Sequence, residues 1–328
     1  GLALGQFSEG LDDLVPVVGR ASDMARALGQ ERADTACEDM LFWVEAVKRS
    51  IDSRRRDRDQ GAEARAVLDS RLRAIETTAR NLANDMEFDF LFDRERQLLS
   101  IGYVVAEDAL DPSRYDLLAS EARLASFMAI AKGEVPARHW FRLGREVTPV
   151  GRGAALVSWS GSMFEYLMPS LVMRAPFGSL IERTNSLIVR RQITHATALG
   201  VPWGISESAY NARDKELTYQ YSNFGVPGLG FKRGLNENVV IAPYATALAA
   251  MVDPAAAAAN FDRLTGIGGR GHYGFYEALD FTPARLPEGR TRAVVRTYMA
   301  HHQGMTIVAL ANALLDGVMR GRFHAEPM

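Results

Sequence analysis

Apolar residues recur three and four positions apart through the first third of this 328-residue chain, and nowhere does an apolar–polar alternation persist. Such a chain builds its core from helix faces, not from regularly spaced strands. Helices are expected over Ala21–Ala27, Thr35–Ile51 and Ala62–Leu82, stretches rich in Ala, Leu, Arg and Glu. Leu41, Val44, Val47 and Ile51 form one apolar stripe. The run Arg54-Arg55-Arg56-Asp57-Arg58-Asp59 reads as a solvated helix end whose charges partly cancel, ahead of an anion or membrane-surface patch.

Further along, Asp111-Pro112 has the form of a helix start, with Asp111 as N-cap and Pro112 in the first turn. That predicts a helix to Ala131 or Lys132, stopped by Gly133. Its apolar stripe holds Leu117, Leu118, Leu124, Ala125 and Met128, and Glu121 shares that face. A carboxylate there must be paired, protonated or set in a cleft. From Gly151 onward glycines, prolines and aromatics crowd together, as in Ser158-Trp159-Ser160-Gly161 and Val201-Pro202-Trp203-Gly204. Helices are expected between them, at Ser186–Leu199, Tyr244–Met251, Pro254–Leu264 and Arg292–Met319. The expected class is all-α, with long glycine-punctuated loops on a rigid scaffold, where sites tend to sit. About twelve helices of about fifteen residues would consume the chain, a count that fits a double ring of paired helices, the (α/α)6 toroid.

Composition narrows the function. A net charge of -2 argues against nucleic acid as the main partner. The one cysteine, Cys37, excludes a disulfide framework and a multi-cysteine zinc site. No run approaches the roughly 18 to 20 apolar residues that span a bilayer. The start, Gly1-Leu2-Ala3-Leu4-Gly5, has neither an initiator methionine nor a signal-peptide pattern, so the chain reads as a domain of something longer.

Three motifs fail on context. Gly266-Ile267-Gly268-Gly269-Arg270-Gly271 matches the dinucleotide fingerprint, but it follows a helical stretch and opens into His272-Tyr273, with no helix behind it. Gly204-Ile205-Ser206-Glu207-Ser208 resembles a nucleophile elbow without its last glycine or its strand. His301 and His302 are adjacent, so a helix points them to different faces, unlike a zinc pair. One is expected at a cleft and the other in packing; no metal and no cofactor is expected.

Two segments carry chemistry. Trp203 to Asp214, continuing to Tyr219-Gln220-Tyr221, and Tyr273 to Asp280 both interleave carboxylates with rings, amides and hydroxyls. Sugars present apolar ring faces and many hydroxyls, and their sites use aromatic platforms, bidentate polar groups and paired carboxylates.

The stretch Phe88-Asp89-Phe90-Leu91-Phe92-Asp93, then Leu98 to Tyr103 and Tyr115 to Arg123, resembles the central region of bacterial cyclic β-1,2-glucan synthases. His139-Trp140-Phe141, Phe164 to Pro169, Trp203 to Asn211, Tyr219 to Tyr221, Gly274 to Ala278 and Met299 to Met305 resemble it as well, in order, over roughly residues 85–315. Residues 1–84 are a looser match to the helical lead-in. The resemblance implies a toroidal catalytic domain over 85–328, with 1–84 as a lead-in belonging to the same toroid. It implies a transglycosylase that cuts linear β-1,2-glucan and closes it into a ring, keeping the anomeric configuration through a glycosyl-enzyme. Glu121 matches the nucleophile and Glu207 the acid/base, with Glu165 and Glu277 as competitors. Trp203, Tyr210, Tyr219 and Tyr276 are the expected platforms; Arg123, Asn211, Gln220, Glu277, Asp280 and His301 are the expected polar contacts.

The implied partners are a β-1,2-glucan chain and neighbouring glycosyltransferase and phosphorylase-like domains, on the cytoplasmic side of the bacterial inner membrane. An endo-β-1,2-glucanase and a non-catalytic glucan-binding module are the competing readings.

Overall fold

The computed structural model describes residues 4–32, 35–59 and 61–327. Contacts divide the chain after Met86 into two units. The first holds three helices, α1 (Leu4–Glu31), α2 (Thr35–Asp59) and α3 (Ala62–Asn84). α1 and α2 pack together around a thin core of Ser22, Ala25, Cys37 and Ile51, while Val47 of the expected stripe stays exposed. Polar contacts supplement it: Glu45 accepts from Ser22 at 2.9 Å and from Arg26 at 2.5 Å. Within the arginine run, Arg58 and Arg55 pair with Asp12 of α1, as a solvated helix end would. α3 leaves Leu68, Leu72, Ile75 and Leu82 exposed.

The second unit begins with short antiparallel strands. β1 (Phe92–Asp93), β2 (Leu98–Ser100) and β5 (Arg114–Tyr115) form one sheet, with Phe92 opposite Leu99 and Leu99 opposite Tyr115. β3 (Tyr103–Val104) and β4 (Ala109–Leu110) pair beside it. Two short helices follow, α4 (Arg123–Ala131) and α5 (Arg138–Arg142), then a hairpin of β6 (Val147–Val150) and β7 (Gly153–Leu156). α6 (Met163–Leu167) leads to α7 (Leu180–Leu199), which starts where the Ser179 hydroxyl caps the Glu182 N–H and ends on left-handed Gly200. β8 (Ser208–Arg213) and β9 (Tyr219–Ser222) form a bulged hairpin.

Helix α8 (Pro243–Ala250) is the hub: all eight of its residues are buried. Its alanines at 245, 247, 249 and 250 let α9 (Pro254–Gly266) and α10 (Ala300–Leu314) pack closely against it. Fully buried Leu248 and Leu264 each contribute about 1.5–3 kcal/mol. Asp253 caps α9 and Pro254 occupies its first turn. β10 (Val240–Ile241), β13 (Ala278–Asp280) and β14 (Ala293–Val295) make a largely buried sheet, with Ile241 opposite Leu279 and Leu279 opposite Val294, and β13 and β14 pack against β8. β11 (Arg270–Gly271) and β12 (Gly274–Phe275) form a small hairpin, and α11 (Val318–Phe323) ends the unit.

The chain is helix-rich, with about half its residues in α-helices. Three expectations are corrected. The class is not purely α: strands occur, but at two to six residues each they are too short to show as alternation. The helix expected from Asp111 begins only at Arg123. The Asp111 carboxylate accepts the Ser113 N–H at 2.7 Å, and Arg114–Tyr115 is drawn into the sheet on β2. The long helix expected over Arg292–Met319 is a strand, a loop and two helices, broken at left-handed Asp316 and Gly317.

Candidate active site

Glu207 sits just before β8, in a loop whose backbone is held by buried amides. Asn260 of α9 brackets Trp203, accepting its N–H at 3.2 Å and donating to its carbonyl at 2.8 Å. Gln192 of α7 brackets Ile205 likewise, at 2.9 and 2.7 Å. Between them Gly204 has φ +119°, a conformation favouring glycine, and a side chain there would press on the Ala242 carbonyl. The backbone of Glu207 is pinned on both sides: its N–H donates to Ser162 and its carbonyl accepts from Tyr244. The hydroxyls of Ser162, Ser206 and Tyr244 form a chain at 2.9 and 2.7 Å. Ser206 is fully buried in that chain, so it scaffolds the loop.

The Glu207 side chain is half-buried and accepts the Tyr221 hydroxyl at 2.8 Å. Burial pushes its carboxyl up, the Tyr221 hydrogen bond partly opposes that, and the charge of Glu121 adds to the rise. Such a group holds its proton longer than a free carboxyl.

Glu121 lies in the turn before α4, not on its apolar face. It is half-buried and accepts from the Ser120 hydroxyl at 3.2 Å. The turn is stapled by Arg123, which is buried and donates to the carbonyls of Ser120, Glu165 and Tyr166. Burial brings the Arg123 guanidinium down to about 10, and the Glu121 charge pulls it back up. Glu121 also raises the carboxyls of Glu165 and Glu207, so three carboxylates share one field.

The competitors have other tasks. Glu165 is buried in a capping box at the start of α6; it accepts the Ser158 hydroxyl at 2.6 Å and the N–H groups of Ser160 and Ser162. Glu277 is buried too, facing His302 Nδ1 at 2.8 Å and accepting the Ala209 N–H at 3.2 Å. His302 in turn lies 3.4 Å from the Tyr221 hydroxyl and stacks on Tyr244 with centroids 3.7 Å apart. Glu207, Tyr221, His302 and Glu277 thus form one connected row.

The other expected contacts are placed as follows. Trp203 is 4% exposed, so its ring is core and offers no face to a ligand. Asp280 is fully buried and neutralised by Arg285 at 2.7 Å. Arg123 and Glu277 are buried as well. Asn211 spends its amide on the Arg285 carbonyl. Tyr210 is half-buried, edge-on to Phe224 and covered by Arg285. Tyr219 has one face under Arg213. Gln220 is half-buried on β9, His301 is exposed beside Tyr221, and Tyr276 lines a cavity of about 140 Å³ with Glu277 and His302. Tyr221, Tyr244 and His302, which the sequence reading did not name as contacts, surround Glu207; the row Tyr219-Gln220-Tyr221 held the first in plain view. The glycine run at 266–271 closes α9 and enters β11, with no helix after it. Among the described residues no cluster of three His, Cys, Asp or Glu side chains is placed to hold a metal.

Residues 114–327 match the family profile described as "Putative glucoamylase" (Glycoamylase). The chain belongs to this family. A stretch of 262 residues is 58% identical to the cyclic beta-(1,2)-glucan synthase NdvB of Rhizobium meliloti (strain 1021), covering 80% of this chain. The chain spans 9% of that protein's length. The likeness agrees with the resemblance carried by the motifs from Phe88 to Met305. In this Glycoamylase-family chain, no helix among the described residues is long and apolar enough to cross a membrane.

Proposed function

We propose that this chain is the ring-closing domain of a cyclic β-1,2-glucan synthase. It cuts linear β-1,2-glucan and rejoins it with the same anomeric configuration. The observation that carries this reading is a 262-residue stretch 58% identical to a named cyclic β-1,2-glucan synthase, and it holds a half-buried Glu207 whose carboxyl is pushed up by burial and by the charge of Glu121. Residues 85–328 are the catalytic part, their helices belonging to an (α/α)6 toroid, with 1–84 as its lead-in. Glycosyltransferase and phosphorylase-like domains flank it in a longer protein working on the cytoplasmic side of the inner membrane.

In this reading the Glu121 carboxylate attacks the anomeric carbon while Glu207 protonates the departing glycosidic oxygen. The C1–O bond breaks and a glycosyl ester forms on Glu121. Glu207, now charged, takes the proton from the 2-hydroxyl at the chain's far end as that oxygen attacks C1. The ester breaks and the ring closes. Water must be kept from the ester, or the product is linear. Tyr210, Tyr219 and Tyr276 flank the glucan; Gln220 and His301 contact its hydroxyls.

One observation favours the opposite order of roles. The Tyr221 hydroxyl donates to Glu207, which stabilises a carboxylate and would suit a nucleophile. Burial outweighs it in the net shift, so acid/base is the primary assignment.

The test is the mass of the products from linear β-1,2-glucan. Species one water lighter than linear chains, absent with Glu121→Gln and with Glu207→Gln, are expected. Shorter linear products alone would make the chain an endo-glucanase, and unchanged polymer a binding module.

A further inference from the structure

A cavity of about 290 Å³ lies among α4, α5 and the start of α7, and no Asp or Glu lines it. Arg123, Arg145 and Arg174 do line it, with Leu118, Trp140 and Met173 among its apolar groups. Among the described residues, none of these three arginines has a carboxylate within ion-pair reach. Arg123 is 3% exposed and directs its Nη atoms to the carbonyls of Ser120, Glu165 and Tyr166, which leaves its Nε–H without an acceptor. Arg145 is half-buried and does the same with the carbonyls of Trp140, Phe141 and Leu143. The Arg174 guanidinium has no hydrogen-bond partner among the described residues. A neutral carbonyl satisfies an N–H but leaves the charge uncompensated, and a guanidinium withdrawn from water without a counter-charge is costly. The first turn of α7 adds to the same field. Ser179, Leu180 and Ile181 line the cavity, and the Leu180 and Ile181 N–H groups meet no acceptor among the described residues. They stand at the positive end of a 20-residue helix. The acid of that turn, Glu182, accepts the Gly178 N–H instead and lines a neighbouring cavity.

We propose that this cavity is a binding site for a phosphate group, free or carried on a sugar-sized body. Planar guanidinium forks match phosphate oxygens two at a time, and the helix N-terminus supplies further donors. The volume stands close to the lower limit of small-molecule sites, about 300 Å³, so a body of about one sugar ring is admitted beside the phosphate. Trp140, Leu118 and Met173 give that body an apolar surface. Neither Glu121 nor Glu207 lines the cavity, so the site stands whichever roles those two carboxylates take.

The test is calorimetric titration of the full chain at fixed ionic strength with inorganic phosphate, glucose 6-phosphate and glucose, joined to thermal melts. Both phosphates should bind at one site per chain and raise the melting temperature, and glucose should do neither. Tighter binding of glucose 6-phosphate would mark the occupant as a carried phosphate, and equal or tighter binding of inorganic phosphate would mark it as a free one. Arg174→Ala should weaken both phosphates at least about tenfold, with Arg174→Lys in between. Arg174 is exposed and its guanidinium holds no backbone group, so these variants should fold as the wild type does. Arg123 and Arg145 staple carbonyls and are left in place. Leu180→Glu puts a carboxylate where the ligand would sit, in a helix turn that favours acids, and should abolish the response to phosphate. Leu180→Gln should keep it. Absence of binding by either phosphate would overturn the site, as would equal binding of glucose. So would a phosphate isotherm left intact by Arg174→Ala or by Leu180→Glu.

Discussion

The two units are held by different means. Up to Met86 the chain is long helices with a thin core and polar contacts at the surface, such as Arg58 on Asp12. From Glu87 onward the helices are shorter, and loops are bound by buried side chains that bracket backbone groups, as Gln192 does Ile205 and Asn260 does Trp203. Long periodic helices need no such brackets, because their backbone groups satisfy one another. Loops carrying a site have no internal partners, so polar groups from distant elements must supply them. The first region should therefore tolerate polar substitutions that the second cannot.

The largest effect is expected where backbone meets backbone. A side chain on Gly225 would fall 1.8 Å from the Ser160 carbonyl oxygen, so Gly225→Ala should cost at least about 3 kcal/mol in a denaturant melt. Gln192→Leu should come next. It removes the Gln192 partners of the buried Ile205 N–H and carbonyl, leaving the carbonyl only the Met163 N–H at 3.4 Å, at a cost of about 1–3 kcal/mol, and should lower activity by loosening the Glu207 loop.

Glu207→Gln should act in the opposite direction. Because the carboxyl is raised in the fold, its stabilising contribution is complete below its unfolded value and is lost as pH rises through the folded one. The variant should thus match the wild type in acid and melt at a higher temperature at neutral and alkaline pH; a melting difference that does not depend on pH would count against the shift. The smallest effect is expected in the first unit. Arg58→Ala should leave the melting temperature within error of the wild type, its partner Asp12 being solvent-exposed. A large loss there would break the contrast between the units.

What the sequence made legible follows the same divide. α2 and α3 were readable from spacing, as were α8 and α9 from their prolines and apolar content. The start of α4 was not, because Asp111-Pro112 carries the same local signal whether a helix follows or an Asx turn feeds a strand. The strands escaped because pairs such as β3 and β4 are held by partners, not by pattern. In the site, Glu121 and Glu207 stood out by family motif and by their unusual settings. The burial of Trp203 was not legible because an aromatic in a glycine-flanked loop looks the same whether it faces a ligand or the core, and the backbone around it is held by Asn260, 57 residues away. His302 was assigned to packing, and its hydrogen bonds depend on Glu277 and Tyr221, which spacing cannot bring together.

The central claim is that Glu121 and Glu207 divide the work of a retaining enzyme, and azide tests it most directly. Small variants of each glutamate, Glu121→Ala and Glu207→Ala, are incubated with β-1,2-glucan oligosaccharides bearing an activated leaving group and with excess azide. The anomer of the glycosyl azide is then read by NMR. With Glu207→Ala, azide should intercept the ester on Glu121 and give the β-azide; with Glu121→Ala it should attack the substrate directly and give the α-azide. The reverse pattern would contradict the assignment of roles, and α-azide from both variants would contradict a covalent intermediate altogether.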